Sequence, residues 1–209
     1  MNVVNDIDIY SEPADIDVDT LRNLGPLRAL AGIWEGTKSL DVNPKAHGPE
    51  RQPFVERIAL QPIDPQANGP QLLYGLRYHT HIVKPGETET FHDQVGYWLW
   101  EPATETVILS LAIPRAQVAL AVGKARADAT TFEVRATRGQ TDYGICSTTF
   151  LEQAFRTDSF MMKVTVNADG TWSYFQDTLL MVRGKEAFHH TDENTLHRVG
   201  EPTPNPLAR

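Results

Sequence analysis

Apolar and polar positions alternate one by one along most of this chain. In FMMKVTVN (160–167), Phe160, Met162, Val164 and Val166 share one parity, and Met161, Lys163, Thr165 and Asn167 share the other. In TTFEVRAT (130–137), Phe132, Val134 and Ala136 alternate with Thr131, Glu133, Arg135 and Thr137. Successive side chains of a strand point to opposite faces, so each such run predicts a strand with one dry face and one wet face. Turn signals separate the runs: NPKAHGP, DPQANGP, KPGE, EPATE and NADG. Asn, Asp and Gly tolerate the positive φ of tight hairpins.

The runs predict strands near 32–40, 52–60, 71–83, 89–101, 105–113, 116–123, 131–137, 146–152, 158–167 and 171–183, with a closing segment at 187–199. Short links between them imply antiparallel neighbours in an up-and-down meander. So long a sheet leaves two unpaired edges unless it closes on itself. The expected fold is therefore all-β: an antiparallel barrel of about ten strands, wide enough to enclose a small molecule. One short helix is predicted, in DTLRNLGPLRALAG (19–32), where Leu21, Leu24, Leu27 and Leu30 recur at helical spacing. Asp19 or Thr20 can cap it, and Pro26 divides it into short turns.

The chain's 209 residues suit one domain, expected at 21–200. It is flanked by an acidic extension (1–20) and a Pro-rich tail (201–209) that bury little. A net charge of -8 and a pI near 5.3 argue against a nucleic-acid surface, which needs clustered basic residues. No apolar run approaches bilayer length, and the acidic start does not read as a signal peptide. No membrane association and a cytoplasmic location are the expectations. The single cysteine, Cys146, falls in a predicted strand and is expected to pack rather than react.

Motifs narrow the class. Gly-x-Trp in LAGIWEGTK (30–38) opens lipocalin-like (calycin) barrels, where the Trp plugs the closed end. FHDQVGYWLWEPATETVILSLAIPRAQVALAVGKA (91–125), the strand order from Ser147 to Phe188, and FHHTDENTLHRV (188–199) follow in sequence. Together with Gly32, Trp34 and Gly36 this course resembles the nitrobindin family, the heme-binding, fatty-acid-binding-protein-like barrels also called peroxynitrite isomerases. Lys38 stands at the last glycine of the family's opening signature. The resemblance implies heme b, with one histidine of the closing strand on the iron and an open face toward NO or peroxynitrite. Counting from Gly184, it lands on His190. The partner is then a small molecule inside the barrel, and a homodimer is compatible with it.

The pleat bears on the same residue. An unbroken strand over 187–199 places Phe188, His190, Leu196 and Arg198 on one face, and His189, Thr191, Glu193, Thr195 and His197 on the wet face. A bulge would reverse the parity and turn His189 inward. The bland alternative is an inward histidine satisfied by Asp192 or a buried water. Trp34, Leu73, Met162 and Val164 are candidate pocket walls, with core packing as the competing use of each. His79 and His81, at i and i+2, share a face with Asp93 across a hairpin, a second candidate metal group beside a plain polar outer face. A rival of another class is a carrier that holds a fatty acid or other apolar ligand without iron.

Overall fold

The computed structural model describes residues 8–204. The start of the acidic extension (1–7) and the end of the Pro-rich tail (205–209) lie outside the described residues. The strands are β1 (Gly32–Gly36), β2 (Leu40–Lys45), β3 (Gly48–Gln52), β4 (Val55–Pro62), β5 (Gln66–Asn68), β6 (Gln71–Val83), β7 (Thr90–Glu101), β8 (Thr106–Ile113), β9 (Gln117–Lys124), β10 (Thr131–Thr137), β11 (Ile145–Ser147), β12 (Phe155–Val166), β13 (Trp172–Val182) and β14 (Ala187–Gly200). Ten of them, β1, β4, β6, β7, β8, β9, β10, β12, β13 and β14, pair antiparallel in that order, and β14 returns to β1. The expected closed ten-stranded barrel is the fold.

Two predicted strands differ. The run at 32–40 is two strands, because the chain bends at 37–39 and β2 then resumes pairing on the same edge of β14 as β1. Ser39 pins the bend: its hydroxyl oxygen accepts from the Phe54 N–H at 2.7 Å, and its O–H donates to the Phe54 carbonyl. The run at 146–152 is only a three-residue strand, β11, followed by helix α2 (Thr149–Ala154). Thr148 caps that helix, its side chain accepting from the Leu151 N–H, which favours a helical turn over further extension. Cys146 is exposed rather than packed, because Ile145 takes the cavity-facing parity of β11.

The N-terminal segment plugs one end. Asp19 caps α1 (Thr20–Asn23), and a 3-10 turn over Gly25–Leu30 follows with Pro26 in its first turn. Leu24, Leu27 and Leu30 are fully buried there. Gly25, at φ +54°, lies so close to Trp100 that a Cβ would sit 2.5 Å from the indole. Trp34 is buried beside the plug, its indole N–H donating to the Leu30 carbonyl at 2.8 Å. Its ring meets Trp172 edge-on at 6.1 Å and carries the Arg198 guanidinium at 4.6 Å.

Removing that indole leaves a void that rigid strands cannot collapse around. Trp34→Ala is expected to lower unfolding free energy by about 3–5 kcal/mol in urea denaturation. An unchanged midpoint would show that Trp34 is not part of the plug.

Candidate active site

Above the plug the barrel holds a cavity of about 560 Å³. Inward residues such as Trp98, Leu109, Leu111, Phe160 and Met162 give it a mostly apolar wall. Phe150 of α2 and Phe155, both exposed, contribute phenyl rings to the same lining. Of the residues singled out in the sequence, His190, Asp192 and Met162 line this space. Val164 shares the Met162 parity but is fully buried in the core. Trp34 belongs to the plug. Leu73 is buried on the opposite face of β6 from Tyr78, Thr80 and Ile82, opposite Gln66 of β5.

β14 runs against β13 from Ala187 to Leu196 without a shift in register, so the bulge that would turn His189 inward does not occur. His189 is exposed and bonds Asp177 at 2.9 Å, and His197 is exposed as well. On the outer face of β6, His79 bonds Asp93 at 2.8 Å while His81 turns to the Thr90 hydroxyl at 3.1 Å. Among the described residues, the group of three that brings possible ligand atoms within 4.8 Å of one another lies elsewhere: Asp41, His190 and Asp192.

That group forms a polar patch in the wall. His190 Nε2 lies 2.6 Å from Asp41 Oδ1 and 3.8 Å from Asp192 Oδ2. The other oxygen of Asp41 accepts from the Asn43 amide, and Asp192 accepts from Gln176 at 3.0 Å. Asp41 is only 2% exposed, facing inward with Ser39 and Asn43 because the bend switches the buried parity from the even positions of β1 to the odd positions of β2. Glu56 of β4 is buried nearby, one oxygen accepting from Tyr174 Oη and from Asn194 Nδ2, each at 2.9 Å. His92 and Gln94 of β7 also face the cavity.

These environments separate the charges. Burial alone would raise the Asp41 carboxyl, but hydrogen bonds from His190 and Asn43 outweigh it and hold it below the ordinary value. Burial alone would lower His190, yet the Asp41 hydrogen bond and the charges of Asp192 and Asp41 raise it. Burial pushes Asp192 up to about 7 against the pull of His190. Burial likewise pushes Glu56 up to about 7, because its donors Asn194 and Tyr174 are neutral. His92 is lowered by burial and so stays neutral.

Sequence reading missed Asp41, Glu56, Asn194 and His92. Glu56 carried a signal, since it shares parity with Phe54, Ile58 and Leu60 as the lone acid on a dry face. Asp41 carried none, because its inward face is set by the bend at 37–39 and by pairing with β14 and β3.

Glu56 yields a pH prediction. Its value rises from 4.5 to about 7 on folding, so its stabilising contribution is complete below about pH 4.5 and is lost as pH climbs through 7. Glu56→Gln keeps an acceptor for both donors and removes that dependence. The variant should gain on the parent by up to about 3 kcal/mol between acid and mildly alkaline pH, followed by urea denaturation at each pH. A constant difference across that range would show that Glu56 is ionised in the fold.

The comparisons with known proteins agree with this architecture. Rv2717c from M. tuberculosis, a crystal structure, superposes with a TM-score of 0.58 at 19% identity, covering 88% of this chain and 99% of that one; at this identity the likeness concerns the fold. No curated protein matches the chain. Among the described residues no helix is long and apolar enough to cross a membrane. The model of the THAP4-like, heme-binding β-barrel domain matches residues 23–198, nearly the whole barrel and its plug. The chain belongs to that family of heme-binding β-barrels, the nitrobindin family.

Proposed function

We propose that this barrel binds heme b through His190 and acts on NO and peroxynitrite, isomerising peroxynitrite to nitrate. One observation carries the reading: in a chain of a heme-binding family, the closing strand projects His190 into a cavity of cofactor size. Cofactor sites range over about 300–1,000 Å³ with mostly apolar walls and few polar groups.

The residues fit such a group. One ring nitrogen of His190 is held by a carboxylate, as metal-bound histidines commonly are, and Nδ1 makes no hydrogen bond among the described residues. Glu56 and Asp192, both pushed up to about 7, are partly protonated near neutral pH and so add less negative charge beside an anionic macrocycle than two ordinary carboxylates would. Arg115, exposed in the cavity lining, is available to carboxylates of the ligand. Neutral His92, with Gln94 beside it, offers a second polar contact to a small molecule in the cavity. Bound heme supplies redox-active iron with affinity for NO and peroxynitrite. The chain's own part is to orient the group, exclude bulk water with the plug and walls, and keep polar contacts few.

A second reading, a heme-free carrier of an apolar ligand, is favoured by the hold of Asp41 on His190 Nε2 and by the apolar wall. Hemin titration separates the two, with peroxynitrite decay followed by stopped flow. The parent should develop a sharp Soret band and accelerate decay only when loaded. His190→Ala should lose the coordinated spectrum while its circular dichroism stays that of the parent; His189→Ala and His197→Ala should titrate like the parent. Retention in His190→Ala with loss in His92→Ala would move the ligand to β7. A parent without a Soret shift would leave the carrier.

A further inference from the structure

The Asp41 carboxylate is more firmly held than binding a ligand by itself would require. It is 2% exposed, with Oδ1 on His190 Nε2 at 2.6 Å and its other oxygen on the Asn43 amide. Its strand is fixed from both sides, by β14 through the Asp41–Asp192 pair and by β3 through the Asp41–Gln52 pair. The Ser39–Phe54 hydrogen bond sets the parity that turns it inward. A carboxylate fixed at both oxygens constrains any imidazole that bonds to it. It selects the tautomer with hydrogen on the bonded nitrogen and leaves the lone pair on the other. It also makes the ring a stronger electron donor.

We propose that Asp41 is the positioning residue of the axial ligand: by accepting from His190 Nε2 it fixes the ring and its tautomer, presents Nδ1 as the coordinating nitrogen, and raises electron donation to the iron. The proposal rests on the reading of His190 as the heme ligand. Asp192 does not share the role, because it lies 3.8 Å from the same nitrogen and its hydrogen bonds are to Gln176 and to Asp41 itself.

The test uses the full chain, hemin titration and spectroelectrochemistry of the loaded protein. Asp41→Asn should weaken hemin binding about 10–100-fold, the usual effect of removing a partner of a metal-bound histidine. The ferric/ferrous midpoint should move to a more positive potential, a change that a merely structural role would not produce. Asn43→Ser, which loosens the carboxylate without altering the pair, should move the midpoint the same way by less, and it serves if Asp41→Asn does not fold. Asp192→Asn separates the hydrogen bond from a general loss of negative charge, and equal shifts in the Asp41 and Asp192 variants overturn the assignment. Parent-like or tighter hemin binding in Asp41→Asn with an unmoved midpoint also overturns it, provided His190→Ala loses the coordinated spectrum. If His190→Ala keeps that spectrum, the failure lies in the axial-ligand reading itself.

Discussion

Backbone pairing along one edge of β14 holds the barrel closed and assembles its polar site at the same time. That edge meets β1 at Glu35, Trp34 and Ile33, then β2 at Leu40, Asp41 and Val42. Without it the sheet has two open edges, and exposed edges invite pairing with other chains. The inner face of the same strand carries His190, Asp192, Asn194 and Leu196 at alternate positions. Closure thus places His190 beside Asp41 and Asn194 beside Glu56, contacts between residues far apart in the chain.

The polar patch stands against a mostly apolar cavity, and its acids respond to that setting differently. Asp41 and Glu56 each accept two side-chain hydrogen bonds. A donor of Asp41 is His190, which can carry positive charge, whereas the donors of Glu56 are a phenol and an amide. Neutral donors do not offset the loss of hydration of a fully buried carboxylate, so Glu56 gains a proton more readily while Asp41 keeps its charge. The site therefore holds one firm anion, one basic imidazole and two acids poised near neutrality. Such separation of titrating groups recurs at functional sites.

The two ends of the barrel divide the remaining work. The N-terminal turns fill one end with Leu24, Leu27 and Leu30, which join Trp34 of β1 and Trp100 of β7 in a dry cluster where Gly25 is required by the approach of the Trp100 ring. Phe150 and Phe155, both exposed, frame part of the cavity beyond it. The dry cluster lies at the plug and the cavity with its polar patch above it, so the inward residues of one strand change character along its length. On β12, Phe160 and Met162 line the cavity and Val164 belongs to the core.

The pattern of alternation determined the class of fold, the extent of strands such as β6 and β10, and the inward face of β14. Side-chain period alone decides these, because a pleat with one buried side leaves a single register. It also separated His190 from His189 and His197 without knowledge of any neighbour. Tertiary structure decided the rest. The bend at 37–39 is pinned by Phe54, and the inward turn of Asp41 is completed by pairing with a strand about 150 positions later, a relation that no local window contains. Where the cavity stops is likewise invisible in the alternation. Met162 and Val164 have the same parity, and only the depth of the plug makes one a wall and the other core. Leu73 and Cys146 were misplaced for a related reason: a covering hairpin buries one and the barrel's outer surface exposes the other, and neither neighbour is written in the residue itself.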